Sequence, residues 1–335
     1  MVSCLRRAGV EVVERHESVW DDREEKWAVG AAAIGRLALA EARLFARRGP
    51  DADVVLVGYP GHFDLPAARR AARGRPLVFN PLVSLSDTLV ADRGRFGPGS
   101  LPARALRALD RRALRSADLV VADTDAHAEF LADLSGLPRD RFDVCFVGAE
   151  ERVFTPGWAP EEPFTALFVG KLIPLHGLAT ILEAARLAPE IEVRVVGSGQ
   201  LESLLADRPT NVTWVRWVDY EQLAAELHRA SCALGIFGTS DKARRVIPNK
   251  AFQALACGAP LVTADTPAAR ELLDDESAVL VRPGDPPALA GALRGLAADP
   301  ARAQRIAAAG HDLYRRRASE DVLGRRWRSL LEALL

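Results

Sequence analysis

Short apolar runs alternate along this chain with stretches whose apolar residues recur every three or four positions. In the first half the runs are Val10–Glu14, Asp53–Gly58, Pro76–Phe79, Asp118–Asp123 and Asp143–Gly148. In the second half they are Ala166–Gly170, Val193–Gly197, Val212–Val218, Cys232–Gly238, Pro260–Asp265 and Ala278–Pro283. Helical periods separate most of them, notably over Arg23–Arg48 and Ser100–Ser116, and the closing segment from Gly310 is again helical in pattern. This alternation predicts parallel sheets covered by helices. The joint is Phe154–Pro163, whose prolines and glycine suit a linker. The expectation is therefore two open α/β domains, residues 1–153 and 164–310, joined by 154–163. A helix in 311–335 should pack back toward the first domain. Ligands of such sheets bind in the crevice at the carboxyl ends of the strands, here between the domains.

The amino-terminal stretch reads as the end of a helix, a turn at Gly9 and then a strand. A doubly wound domain usually opens with a strand and a tight loop before that helix. The first domain is thus expected to lack both, as truncation or a misassigned start would produce.

Composition narrows the classes. With 49% hydrophobic and 27% charged residues among 335, the chain is globular rather than disordered. A net charge of -1 gives no reason to expect a nucleic-acid partner. Cys4, Cys145, Cys232 and Cys257 form no CxxC pair, which argues against a zinc site or a disulfide framework. The longest apolar run is interrupted by Arg36, and no signal-peptide core is evident, so a cytoplasmic location is expected.

Only four of the 44 basic residues are lysines: Lys26, Lys171, Lys242 and Lys250. In a chain that otherwise uses arginine, a lysine marks a place where a compact ammonium suits better than a planar fork. Lys171 follows a strand and Gly170, while Gly177 opens the next helix, whose Leu178, Ile181, Leu182 and Ala185 share one face. Free amides at such a helix start attract anions, and Lys171 and His176 would bracket a diphosphate there. The plainer alternative is an ordinary strand-to-helix connection with a solvated lysine.

Lys242 and Lys250 lie in a second such connection, beside Arg244 and Arg245. Pro248 starts its helix and Gly258 ends it. Phe252, Leu255 and Ala256 form the core face, whereas Asn249, Lys250 and Gln253 share a polar one. A cationic loop with Arg245 and Ile247, a helix start and polar groups would together hold phosphate and a hydroxyl-rich group such as ribose. Solvated cations on a loop remain the alternative.

In the first half, His62 follows a strand and is a candidate for a direct role in the cleft, with Asn80, Ser84 and Asp87 within reach of the same region. The Asp-x-Asp pairs at Asp51/Asp53 and Asp123/Asp125 read as caps or turns rather than metal ligands. From Asp92 to Asp118 seven arginines stand against three acids. The helix over Arg104–Arg115 would suit an anionic membrane surface, or equally be a solvated basic face.

The segments Val169–Ala185, Val195–Gln200, Val246–Leu273 and Leu280–Leu293 together resemble the donor-binding domain of family 4 glycosyltransferases, over roughly Phe164 to Leu293. The first half resembles the family only in its strand rhythm. The resemblance implies a GT-B fold and sugar transfer with retention from a nucleotide-sugar donor, without an obligatory metal or other cofactor. It implies a glycan or lipid-linked acceptor in the first domain and a place in cell-surface polysaccharide or glycolipid synthesis; a lipid-linked acceptor would fit the basic helix lying on the inner face of the membrane. Lys171 and His176 stand where the family has an arginine and a lysine on the donor diphosphate. Trp217 and Val218 fall where backbone groups read the base. The family's pair of glutamates is replaced by Arg245 and Gln253. Gln253 still offers an amide oxygen to ribose, while Arg245 suits phosphate, with Lys250. An epimerase of the same fold, or a non-catalytic nucleotide-binding relative, are the competing readings.

Overall fold

The protein is described by a computed structural model that covers residues 1–17, 31–46, 49 and 51–335. Two parallel sheets form. The first contains β1 (Val55–Val57), β2 (Leu77–Phe79), β3 (Leu119–Ala122) and β4 (Phe142–Val144), in that spatial order. Leu77, Val78 and Phe79 are wholly buried, because helices cover both faces and a parallel strand must be apolar on each. Those helices include α1 (Val2–Arg7), α2 (Ala31–Ala46), α3 (Leu65–Ala72), α4 (Leu101–Ser116) and α5 (Asp125–Ser135).

The second sheet contains β5 (Thr165–Val169), β6 (Glu192–Val196), β7 (Val212–Val215), β8 (Cys232–Leu234), β9 (Leu261–Ala264) and β10 (Val279–Val281). Its order is β10-β9-β8-β5-β6-β7. The chain therefore moves outward from β5 in one direction, then returns to its other side at β8. The loops after β5 and β8 diverge to opposite faces and leave a crevice between them. They lead into α6 (Leu178–Leu187) and α8 (Asn249–Cys257). The other helices are α7 (Leu223–Arg229), α9 (Pro267–Leu272), α10 (Pro286–Ala298), α11 (Pro300–Arg317) and α12 (Glu320–Glu332).

One expectation from the sequence changes. Val10–Glu14 pairs with no strand; Val10 and Val12 instead lean on the cluster around Cys4, Leu5 and Trp327. Its apolar residues are satisfied by packing on that cluster rather than by pairing with a strand. Helix Arg23–Arg48 falls partly outside the described residues, with α2 as its described portion. The joint over 154–163 is packed along part of its length. Phe154 is buried edge-on to Tyr220, 5.5 Å between ring centroids, and Trp158 Nε1 donates to the Ala230 carbonyl at 2.8 Å.

Helix α12 crosses to the first domain. Gly324 is pressed so close to α1 that a Cβ would sit 2.3 Å from the Cys4 carbonyl oxygen, and Trp327 fills the space beside Cys4. The domains also meet across the cleft. The Glu271 carboxylate on α9 accepts from the Asp125 and Ala126 amides, at 2.7 and 2.9 Å, capping α5 from the other domain.

Candidate functional site

Gly170 turns the chain at the end of β5 with φ at +148°, and a Cβ there would lie 2.8 Å from Lys250 Nζ and 3.3 Å from His176 Cε1. Glycine is what lets the ammonium and the imidazole approach this backbone. Lys250 is the second residue of α8, whose start carries no side-chain cap, a place where the first amides of a helix are free to meet an anion. Its stem is buried and Nζ stands 3.7 Å from the centroid of the Phe168 ring. That ring supplies some cation–π attraction. Nζ nevertheless has no hydrogen-bond partner, and its residue is only 9% exposed. Burial holds the Lys250 pKa well below the usual lysine value. An unpaired buried ammonium is costly unless an anion joins it.

His176 lies beside it. Nδ1–H donates to the Lys171 carbonyl at 2.5 Å. Burial, and then the charge of Lys250, hold its pKa well below the ordinary histidine value, which leaves Nε2 a bare acceptor. Lys171 itself is exposed at the mouth. Gly170, His176, Gly177, Lys171 and Lys250 are thus brought to one end of the sheet. Gly177 is fixed there by the Phe237–Gly238 backbone, 2.5 Å from where its Cβ would stand.

Toward β7 the crevice opens into a cavity of about 220 Å³, lined among others by Gly170, Lys171, Trp217, Val218 and Tyr220. Trp217 is 69% exposed there, a flat apolar wall open to solvent. Gln253 faces the Tyr220 hydroxyl, which also meets the Glu150 carboxylate; burial first, then Glu150, raises the Tyr220 pKa. Asn249 is exposed at the first turn of α8, whereas Ile247 is buried in the core and presents no side chain to the crevice.

Two candidates are placed differently from the expectation. Arg245 turns toward the first domain: Nη2 binds Asp87 Oδ1 at 2.9 Å and the guanidinium stacks 3.9 Å over Phe130. Lys242 does likewise, donating to Thr88 Oγ1 at 2.6 Å. These side chains latch the domains. His62 points inward rather than across the cleft: it is 4% exposed, Nδ1 meets the Pro60 carbonyl and Nε2 stands 3.1 Å from Asp110 Oδ1. With both nitrogens engaged it is a structural histidine. Asn80 and Ser84 are spent similarly, on the Val121 carbonyl and on Asp110. Asp123 pairs with His127, and Thr124 caps α5, so that pair serves the helix start.

Glu150, Tyr220, Arg93 and Asp110 escape sequence reading. Their partners lie far along the chain, and only the excess of arginine after Asp92 hinted at one of them.

A glycosyl transferase-like domain profile matches residues 178–332, and a glycosyl transferase 4-like domain profile matches residues 1–148. The D-inositol 3-phosphate glycosyltransferase of Mycolicibacterium smegmatis is 30% identical over 206 residues, 55% of this chain and 46% of the relative. The protein of that name from Thermomonospora curvata is 28% identical over 289 residues, 74% and 67% of the two chains. The chain spans about half the length of several curated relatives it matches. A sucrose-phosphate synthase from Thermosynechococcus elongatus superposes with a TM-score of 0.72 at 17% identity, over 90% of this chain and 78% of that one. Anabaena HepE in complex with UDP-glucose gives 0.68 at 17% identity, over 89% and 82%. At such identities the structural likeness is one of fold. Two profiles that between them span both domains, on the two-sheet GT-B architecture, show that the chain belongs to the family 4 type glycosyltransferases.

Proposed function

We propose that this chain transfers a sugar, with retention, from a nucleotide-sugar donor to a glycan or lipid-linked acceptor held by the first domain. It works at the inner face of the cytoplasmic membrane, in cell-surface polysaccharide or glycolipid synthesis, and needs no obligatory metal. The observation that carries the donor site is Lys250, an ammonium buried without an anion beside an uncapped helix start. As the glycosidic bond breaks, charge grows on the leaving diphosphate. Preorganised cations and amides in a water-poor crevice stabilise that charge most. Lys250, the first turn of α8 and the mouth residue Lys171 take this role. The Trp217–Val218 wall takes the base, and Gln253 with Tyr220 takes the ribose.

One solved neighbour holds UDP-glucose, so UDP-sugars are the first donors to try. In calorimetry against UDP- and GDP-sugars one series should bind, and Lys171→Ala should weaken it by about three- to tenfold, as befits an exposed cation. No binding by any donor, or indifference to Lys171→Ala, would remove the assignment. Sugar interconversion without acceptor would indicate the epimerase, and binding without turnover the non-catalytic relative.

The membrane reading rests on α4. Arg104, Arg107, Arg111, Arg112 and Arg115 line an open groove of about 800 Å³. Among the described residues none of the five pairs with a carboxylate; Arg111 and Arg115 donate only to the Leu134 and Ser135 carbonyls, at 2.8 Å each. Leu101, 76% exposed, stands at the start of the helix. Each cation near an anionic bilayer contributes about 1 kcal/mol. The protein should float with phosphatidylglycerol liposomes at low salt, and replacing Arg104, Arg107 and Arg111 by alanine should weaken that binding about 100-fold. Flotation equal on neutral vesicles would exclude this surface.

A further inference from the structure

Facing the Lys250 crevice, the first domain presents a wide helical turn, Asp87–Asp92, that ends at Arg93. Such five-residue turns are rare and tend to occur at functional places. The Arg93 amide closes the turn on the Thr88 carbonyl at 3.0 Å. Asp87 and Thr88, at its start, hold the latch to Arg245 and Lys242.

The end of the turn straddles the loop that carries Lys171 and His176. On one side Gln200 Nε2 donates to the Arg93 carbonyl at 3.2 Å, and the Gln200 loop is bonded in turn to Leu172 through Leu172 N–Ser198 O, 3.0 Å, and Leu201 N–Leu172 O, 2.9 Å. On the other side Asp92 lies near the Leu175 amide, which draws its pKa down against the larger, raising effect of burial. Arg93 is therefore held against the loop bordering Lys250 through its carbonyl. Its Nε is buried with no hydrogen-bond partner, as is Lys250 Nζ, and its guanidinium enters no ion pair among the described residues. Both cations lie within electrostatic reach of the same His176 ring.

Two cations held on facing walls, one buried and one half-buried, repel one another unless an anion lies between them. Asp92 attracts Lys242 and, less strongly, Arg93, but it makes no ion pair with the guanidinium among the described residues, and its Oδ1 is buried and unbonded. We propose that Arg93 is a ligand of the donor diphosphate, delivered from the acceptor domain, so that the anion site is complete only while the latch holds the domains together. This rests on the diphosphate reading of the crevice. When the glycosidic C–O bond breaks, its electron pair stays on the β-phosphate oxygen. A guanidinium from the domain that also holds the acceptor then stabilises that charge. The arrangement makes leaving-group stabilisation conditional on domain closure, and it offers a fork-shaped phosphate ligand in a site whose other cations are lysines.

The test is calorimetry with UDP, UMP, GDP and GMP on the full chain and on Arg93→Gln and Arg93→Lys. A diphosphate ligand should cost the glutamine variant about 10- to 100-fold in affinity for the preferred nucleoside diphosphate but less than about threefold for its monophosphate, with partial recovery in the lysine variant. Equal diphosphate binding in Arg93→Gln, or equal loss for mono- and diphosphate, would overturn the role of Arg93 while leaving the donor site standing. Failure of the unsubstituted protein to bind either UDP or GDP would overturn both. Should Arg93→Gln not fold, the comparison is read from Arg93→Lys, where an unchanged ratio of diphosphate to monophosphate affinity also counts against the proposal.

Discussion

Lys250→Met should abolish transfer and, at the same time, raise the melting temperature. Methionine keeps the length and apolar stem of the side chain and places a sulfur against the Phe168 ring, a favourable contact. It removes an ammonium that is buried without a partner. Losing a cation that stabilises the leaving diphosphate should lower turnover by about 10²- to 10³-fold. Losing its desolvation cost should stabilise the empty protein by about 1–3 kcal/mol. The pH dependence fixes the sign. Because the folded pKa lies below the ordinary 10.5, the wild type holds its full stability only above that value and loses stability as pH falls toward the folded pKa. The gain in the methionine variant should therefore be clear at pH 7 and shrink above about pH 10. Donor binding to the wild type should draw a proton onto His176, seen as a buffer-dependent heat in calorimetry. Melting curves at both pH values and a turnover assay decide the matter. A variant that is active, or melts earlier than the wild type at pH 7, contradicts the account of Lys250.

The second large effect lies in the other domain. Asp110 is wholly buried and accepts from Ser84 Oγ and the Leu85 amide at 2.8 Å, the Ser86 amide at 2.9 Å, and faces His62 Nε2 at 3.1 Å. Burial alone would raise its pKa; the bonds from His62 and Ser86 outweigh it and hold the carboxyl below the usual range. Its share of stability is accordingly present above the ordinary aspartate pKa and lost as pH falls through the folded one. Asp110→Ala leaves four donors stranded and should cost about 3–5 kcal/mol, a fall in melting temperature of about 10 °C. Asp110→Asn keeps the acceptor oxygen but turns an amide toward other donors, and should fall between the two. His62→Ala should destabilise in the same direction, as expected of a structural histidine rather than a base. Calorimetric melting of the three variants is the check. An Asp110→Ala protein that melts with the wild type would show that the segment from Ser84 onward is held by other means. That segment carries Asp87 and Thr88, so the same variant should also loosen the latch to Lys242 and Arg245.

Much of the architecture is legible in the chain because it depends on neighbours along it. Buried parallel strands read as short apolar runs, and helix faces follow from three- and four-residue spacing. The turns at Gly170 and Gly177 and the polar face of α8 with Lys250 and Gln253 follow from local backbone needs. The same reading errs wherever a second segment decides. Val10–Glu14 alternates as a strand does, but packs on the cluster around Cys4 and Trp327 and pairs with no strand among the described residues. His62 and Arg245 stand on the loops where cleft residues belong, and their directions are set by Asp110 and Asp87, distant carboxylates no local pattern announces.

The sequence by itself determined the two α/β domains, the helix starts that face the crevice and the presence there of rare lysines. Only the tertiary structure decided which cations were consumed in pairing and which were left without an anion. Periodicity reports what each residue's neighbours along the chain require, whereas a charge takes its meaning from whichever group the fold sets opposite it, and for Lys250 and Arg93 the fold sets no ion-pair partner among the described residues.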